Sequence, residues 1–148
     1  MPGSLALGVD IGGTKVSAGV VDRSGRILAR TRRDTPHRST APSVVEDAIV
    51  SVIDELLVGP VGPEVAAIGI GAAGFVSADG SHVVFAPHLS WRDEPLREAL
   101  ARRVDLPVTV DNDANGALWA EHRFGAARDV THAVMITLGT GIGGAVLI

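Results

Sequence analysis

The chain contains no cysteine among its 148 residues, so within this sequence neither a disulfide framework nor a thiolate metal site can form. It also has no run near the ~18 consecutive apolar residues that a membrane-spanning helix needs. A charged N-terminal segment followed by a long apolar one, as in a secretory signal, is missing as well. We therefore expect a soluble, cytoplasmic protein without a membrane partner.

Basic residues are outnumbered, with 17 acidic residues against 13 basic ones and a net charge of -4. No cluster of basic residues suggests a nucleic-acid footprint, so we expect no nucleic-acid partner. Hydrophobic residues make up 46% of the chain, and this length suffices for a domain with a buried core.

Lysine is nearly absent, because Lys15 is the only lysine among the 13 basic residues. It follows Gly12, Gly13 and Thr14, and the segment lies between two apolar runs, which predicts a strand, a tight glycine turn and a strand. Backbone N–H groups, a hydroxyl and a compact ammonium suit a phosphate, and Asp10 could hold Mg²⁺ directly or through water. The alternative is an ordinary β-hairpin turn. The single lysine argues against it, because a chain that otherwise uses arginine has a compact cation at this position.

Apolar periodicity predicts an α/β fold with a mixed sheet and flanking helices. A strand–helix–strand crossover favours parallel pairing, which would extend an antiparallel meander. Predicted helices cover 45–56, a short segment around Leu96 and Leu100, and 116–124, with caps at Thr40 or Ser43 and at Asp93. The predicted strands are 5–7, 16–21, 26–31, 65–70, 75–76, 83–85, 108–110, 133–138 and 145–148.

Two polar or glycine-rich loops follow predicted parallel strands. One is 71–75, which contains Gly74, and the other is 111–115, with two acids and two amides at a helix start. Ligands of open α/β sheets bind beyond the carboxyl ends of strands, so we expect both loops on one side of a site. Helix capping would account for part of the acidic cluster, although a single acid suffices for that purpose.

A third glycine loop, 138–144, follows the predicted strand 133–138. Gly139, Gly141 and Gly144 satisfy the spacing of a dinucleotide-binding fingerprint, but that motif must open a helix. The strand-like run 145–148 follows instead. The loop therefore repeats the strand–turn–strand arrangement around Asp10, which predicts a second phosphate-binding site.

Three motifs in this order resemble those of the ROK family of sugar kinases, most closely its bacterial glucokinases, over the N-terminal half of such a kinase. The motifs are 10–15, the Asn112–Asp113 segment and 138–144. The resemblance implies a ribonuclease-H-like fold of the actin, Hsp70 and sugar kinase superfamily. It divides the chain into a first domain, 1–130, and the first hairpin of a second, truncated domain, 131–148.

The resemblance also implies ATP-dependent phosphorylation of glucose to glucose 6-phosphate, a step of glycolysis. Asp113 would be the catalytic base and a sugar contact, with Gly74, His88 and Asn112 as further sugar-binding residues. Nucleotide phosphates would contact the residues of the two phosphate loops, and Mg²⁺ would lie at Asp10. The implied nucleotide-binding residues are Asp10, Gly12, Gly13, Thr14, Lys15, Gly139, Thr140 and Gly141.

Two positions depart from the pattern of many relatives, which carry Pro at Ala73 and Asn at His88. His88 would contact the sugar through a ring nitrogen or not at all.

Alternative functions remain open: a kinase for fructose, N-acetylmannosamine or allose, a polyphosphate-using kinase, and a non-catalytic sugar sensor. Only four residues precede the strand at Leu5, so we expect no helix-turn-helix domain. The family's zinc motif is expected beyond Ile148, and the full-length protein is expected to be a homodimer or homotetramer.

Overall fold

The computed structural model describes residues 4–139 and 141–148. Its helices are α1 (Pro42–Leu57), α2 (Leu96–Ala101) and α3 (Asp113–Phe124), with a short 3₁₀ turn at Gly62–Glu64. Its strands are β1 (Leu5–Ile11), β2 (Lys15–Val21), β3 (Ile27–Asp34), β4 (Val65–Ala72), β5 (Phe75–Val76), β6 (Val83–Phe85), β7 (Arg92–Glu94), β8 (Val108–Asn112), β9 (Ala133–Leu138) and β10 (Ile142–Leu147).

The central sheet has five strands in the order β3-β2-β1-β4-β8. Strands β1, β2 and β3 form an antiparallel meander, and β4 and β8 add to β1 in parallel. The mixed sheet predicted from the sequence is confirmed. The register aligns Ile11 with Ala72 and Ala72 with Asn112, so the carboxyl ends of β1, β4 and β8 meet at one edge.

The core forms where the apolar residues of this sheet meet α1. Strand β1 alternates buried and exposed residues, as a strand with one covered face should. Helix α1 packs against β1, β2 and β3 and buries Val45, Ile49 and Ile53 completely. Burying one such side chain contributes roughly 1.5–3 kcal/mol, so this layer fixes the strands whose ends carry the predicted site.

Strands β9 and β10 form a separate two-stranded sheet that packs on α3. Ala145 is buried with Ala114 and Leu118 of the helix, and Met135 and Leu147 pack against them. A two-stranded ribbon alone is marginal in water, and here one face is stabilised by the helix. The other face exposes a row of apolar side chains: Val134, Ile136, Leu138, Ile142 and Val146.

Several predicted boundaries and caps were wrong. Helix α3 begins at Asp113 rather than at Gly116, because Asn112 caps it. Helix α1 has Ala41 at its N-cap and Pro42 as its first residue, where the fixed φ of proline suits a helix start. Asp93 lies in β7, which the sequence did not predict, while Pro95 precedes α2. Among residues 4–139 and 141–148, no helix combines the length and apolar character that crossing a membrane requires.

Candidate functional site

The first glycine loop joins β1 to β2 and is held closed by the backbone. The Gly12 N–H donates to the Lys15 carbonyl at 2.9 Å. Thr35, which follows β3, forms two hydrogen bonds to this loop. Its N–H donates to the Thr14 carbonyl at 2.9 Å, and its hydroxyl donates to the Gly12 carbonyl at 2.8 Å. Thr35 carries no signal in the sequence, because nothing near it indicates a partner 23 residues away.

Lys15 forms a salt bridge with Asp34 across the β2–β3 pair. The hydrogen bond and the positive charge from Lys15 lower the pKa of the Asp34 carboxyl below its ordinary value. Both side chains are at least half exposed. Water screens such a surface pair, so Lys15 can exchange this partner for a phosphate oxygen at little cost.

Two carboxylates meet at the edge where the parallel strands end. Asp10 aligns with Gly71 of β4, and a β-carbon added to Gly71 would lie 3.4 Å from the Cα of Asp113. Partial burial raises the pKa of Asp10, and the negative charge of Asp113 raises it further. Two acids that repel each other in this way create a local field that favours a cation.

Within the described residues, no group of three or more histidine, cysteine or acidic side chains is placed to hold a metal ion. Asp10 alone would leave most positions around a bound Mg²⁺ to water and to phosphate oxygens. That arrangement is usual for Mg²⁺, which keeps several waters and binds through one or two carboxylates plus substrate phosphates. Asp10 therefore fits an ion that arrives with phosphate groups, and the negative charge of Asp113 nearby adds to the attraction.

Asp113 is the first residue of α3 and is half-buried. A helix N-terminus carries partial positive charge, which stabilises a carboxylate there. Its Oδ1 accepts from the Ala114 N–H at 2.9 Å, and within the described part of the chain its Oδ2 accepts no hydrogen bond. The Oδ2 of Asp113 is therefore available to accept a proton from the hydroxyl of a ligand.

Asn112 uses both ends of its amide to join two elements of the site. Its Oδ1 accepts from the Ala114 N–H at 2.9 Å and the Asn115 N–H at 3.2 Å, which caps α3. Its Nδ2 donates to the Gly74 carbonyl at 2.9 Å. The role of Asn112 as a sugar ligand stays a prediction, and the structure adds that it holds the Gly74 loop beside Asp113.

Asp111 and Asn115 support the same helix start from outside. The Asp111 Oδ1 accepts from the Asn112 N–H at 2.6 Å and from the Asn115 Nδ2 at 3.0 Å. Helix capping accounts for these side chains, as the sequence suggested for part of the acidic cluster.

Gly74 lies where no side chain fits. An added β-carbon would be 2.5 Å from the Phe85 carbonyl oxygen and 3.0 Å from the Ala86 β-carbon. The adjacent Ala73 N–H donates to the Ile11 carbonyl at 3.0 Å. The loop is therefore fixed to β1, to β6 and, through Asn112, to α3.

His88 connects the first glycine loop with the hairpin loop between β9 and β10. A β-carbon added to Gly13 would lie 2.8 Å from the His88 β-carbon, so His88 occupies the space where a side chain would stand. The His88 Nε2 is 4.0 Å from the corresponding position on Gly141. The hairpin loop itself is closed by the Gly139 N–H, which donates to the Gly141 carbonyl at 2.9 Å. Thr140, a predicted phosphate contact, lies outside the described residues.

The predicted site residues thus converge on one region. Asp10, Asp113, Asn112 and Gly74 are linked through the sheet edge and the start of α3, and His88 places the Gly12–Gly13 turn next to Gly141. Sheet edge, helix N-terminus and glycine turns together suit a ligand that carries phosphate groups.

Known proteins resemble this chain in sequence and in fold. The chain is 49% identical over 144 residues to the glucokinase of Streptomyces coelicolor, a match that covers 97% of the chain and 44% of the relative. It is 48% identical, with a TM-score of 0.84, to the crystal structure of a ROK family glucokinase from Streptomyces griseus in complex with glucose and AMPPNP, covering 97% of this chain and 44% of the other.

A third match is the inorganic polyphosphate/ATP-glucomannokinase from Arthrobacter sp. strain KM, with 37% identity and a TM-score of 0.85 over 97% of this chain and 58% of the other. The chain thus spans about half the length of these relatives. Its mixed sheet with flanking helices is the ribonuclease-H-like fold of the actin, Hsp70 and sugar kinase superfamily. Residues 6–148 match the family model for ROK, and the chain belongs to the ROK family.

Proposed function

We propose that the full-length protein carrying this chain phosphorylates a hexose with ATP, converting glucose to glucose 6-phosphate in the cytoplasm. By full-length protein we mean this chain together with the additional length that its relatives have. The observation that carries the proposal is the convergence of Asp113, Asp10 and the first glycine loop at one sheet edge. A relative of 48% identity binds glucose and AMPPNP, which supports the assignment of both substrates.

In this proposal residues 1–130 form one wall of a cleft, and residues 131–148 begin the domain that forms the other wall. Phosphoryl transfer leaves a protein little covalent chemistry, so positioning and charge neutralisation supply most of the catalysis. Two walls serve that purpose because closure excludes water and completes the set of contacts around the phosphates.

Asp113 is the proposed general base. It takes the proton of the sugar hydroxyl as that oxygen forms its bond to the γ-phosphorus and the bond to the leaving ADP breaks. Gly74 lets the sugar ring approach the backbone, and Asn112 hydrogen-bonds the sugar while it holds the loop. Gly12, Gly13, Thr14 and Lys15 bind phosphate oxygens through N–H groups, a hydroxyl and an ammonium, and Gly139, Thr140 and Gly141 do so from the hairpin.

Mg²⁺ is the proposed metal, held on the side of Asp10. When bound, it offsets negative charge on the transferring phosphoryl group. The mutual repulsion of Asp10 and Asp113 supports this proposal, because a cation relieves it.

The test is a coupled assay of ADP formation by the full-length protein with glucose, mannose, fructose, N-acetylmannosamine and allose. We expect glucose to give the highest kcat/KM, with product formed only when Mg²⁺ is present. Reactions without sugar control for simple ATP hydrolysis. No ADP with any of these sugars would refute the proposal, and a preference for another sugar would refute the assignment of glucose.

Polyphosphate is a second candidate donor, because the Arthrobacter relative uses it according to its name. The same assay decides this point if glucose 6-phosphate is measured with either donor. We expect ATP to be preferred, and equal or faster turnover with polyphosphate would favour the second candidate.

A further inference from the structure

We propose that His88 binds the phosphate groups of the nucleotide and that it is not a sugar ligand. The inference rests on the proposed function, since it assigns one more residue to the nucleotide side of the same site. The alternative is that His88 binds the sugar, as the resemblance to other family members implied. The two assignments predict that substitution of His88 weakens binding of different ligands.

The position of the imidazole carries the proposal. The His88 β-carbon packs against Gly13 in the first phosphate loop, and Nε2 faces Gly141 in the hairpin loop. The ring therefore bridges the two glycine loops that are proposed to hold the nucleotide phosphates. A ligand that contacts both loops has to pass next to Nε2.

His88 is held firmly in this place by its neighbours. Leu89 and Trp91 are both buried in the core, whereas His88 itself is exposed. The Arg92 guanidinium donates to the carbonyls of Ala86, Leu89 and Trp91 at 3.1, 3.3 and 2.6 Å. The segment is thus fixed on both sides of His88, and the exposed imidazole lies beside the two glycine loops.

The ring nitrogens of His88 also differ in their contacts from those of the other histidines. Rings of His37, His82, His122 and His132 all hydrogen-bond to a hydroxyl or a carbonyl. Within residues 4–139 and 141–148, neither nitrogen of His88 has such a partner. An imidazole N–H between two turns rich in backbone N–H groups is suited to an anionic acceptor such as a phosphate oxygen.

The contact between Gly13 and His88 agrees with this assignment. Gly13 tolerates no β-carbon because His88 fills that space. The first loop therefore contributes only backbone N–H groups at Gly13, and His88 adds a side-chain donor there to those of Thr14 and Lys15.

The test separates nucleotide binding from sugar binding in the full-length protein. Calorimetry measures the Kd of AMPPNP with Mg²⁺ and, separately, the Kd of glucose for wild type, His88→Ala, His88→Gln and His88→Asn. Ala should weaken AMPPNP binding about tenfold or more, the fold-change that a hydrogen bond to a charged group confers, and leave glucose binding within about twofold. Gln places its amide nitrogen near the position of Nε2 and should restore most of the affinity, whereas the shorter Asn should not.

His132→Gln is the matched control, because His132 is exposed and, among the described residues, its ring hydrogen-bonds only to the neighbouring Thr131 hydroxyl. It should leave both Kd values unchanged. Unchanged glucose binding by the His88 variants shows at the same time that they are folded.

Three results would overturn the inference: His88→Ala weakens glucose binding alone, it weakens neither ligand, or wild type does not bind AMPPNP. If wild type binds AMPPNP through His88 but phosphorylates no sugar, the proposed function fails and the inference about His88 stands.

Discussion

At the scale of single residues, the carboxylate of Asp10 works against the stability of the fold. Its pKa is raised above 3.8 by partial burial and by the charge of Asp113. A raised pKa in the native state means that the folded protein holds this proton more tightly than the unfolded chain does. The stabilising contribution of Asp10 is therefore present below its ordinary pKa and is lost as the pH rises through the raised value.

Asp10→Asn should consequently raise the Tm of the chain at pH 7, because it removes the repulsion of Asp113. Water screens both groups, so we expect a gain of about 1–2 °C. The gain should disappear near pH 3, where Asp10 is protonated in both states. Thermal unfolding of the two proteins at several pH values measures this, and a lower Tm for the Asn variant at neutral pH would contradict the proximity of the two acids.

Asp22→Asn is a useful contrast for this experiment. Hydrogen bonds from Ser24 and Arg26 lower the pKa of Asp22, so its shift has the opposite sign to that of Asp10. Its contribution is present above its ordinary pKa and is lost as the pH falls through the lowered value, so this variant should lose stability at pH 7.

Lys15 stands out in the sequence because it is the single lysine. In the structure it lies at the start of β2 and forms a surface salt bridge with Asp34. We expect Lys15→Arg in the full-length protein to raise the KM for ATP or lower kcat by about tenfold, although the charge is kept. The reason is that a planar guanidinium does not replace a compact ammonium beside a narrow glycine turn. Steady-state kinetics with ATP as the varied substrate measures this, and unchanged kcat and KM would refute the argument.

At the scale of elements, the site depends on how α3 begins. Asn112 both caps this helix and holds the Gly74 carbonyl. Asn112→Ala should remove both functions and lower the Tm by about 3–6 °C, as expected for loss of ~1–2 kcal/mol from a helix cap in a chain of this length. Asn115→Ala, one turn later and exposed, should change the Tm by about 1 °C. Thermal unfolding measures both variants. A change in Tm for Asn112→Ala that is no larger than that for Asn115→Ala would contradict the role of Asn112 as the cap of α3.

Regular elements could be predicted from the sequence because their apolar residues repeat with the period of a strand or a helix. Helix α1 was predicted at 45–56 and spans Pro42–Leu57, and β9 was predicted with its observed bounds. Strand β7 has three residues, of which two are exposed, so it carries no periodic signal. Asp93 was predicted as a cap from its residue type alone, whereas it adopts a φ of 52° within that strand.

The site residues divide in the same way. Asp10, the glycine turns and Asp113 stand out because their residue types lie at strand ends and helix starts. Thr35 and the contact between His88 and Gly13 could not be predicted, since both join segments far apart in sequence whose distance only the folded chain defines. The start of α3 was predicted at Gly116, about one turn too late, because Asp111, Asn112 and Asp113 are all suitable capping residues.

At the scale of the whole molecule, the described residues form a main core at the central sheet and leave one face of the β9–β10 hairpin apolar and uncovered. The five-stranded sheet with α1 and α2 buries a continuous set of apolar residues, whereas Ile136, Leu138 and Ile142 of the β9–β10 hairpin are more than two-thirds exposed, at 68%, 79% and 81%. The chain also spans 44% of the length of the Streptomyces coelicolor glucokinase. Together these facts agree with our proposal that the hairpin begins a second domain.

We therefore expect the 148-residue polypeptide to fold but to show no measurable sugar kinase activity, because a single wall cannot exclude water from the reactants. Cooperative thermal unfolding followed by circular dichroism, with the ADP assay on the same sample, measures both parts. The full-length protein is the control and should be active. ATP-dependent glucose phosphorylation by the 148-residue chain alone would overturn the two-walled mechanism.

The most direct measurement of the central claim is the kcat of Asp113→Asn in the full-length protein, with glucose affinity determined in parallel and Asp111→Asn as the matched control. The Asn side chain keeps the shape of Asp113 but cannot accept the proton, so kcat should fall by roughly 10²–10⁴-fold while glucose still binds. Asp111→Asn should retain most of the activity, since Asp111 only supports the start of α3. A fall of less than about threefold for Asp113→Asn would contradict its assignment as the general base.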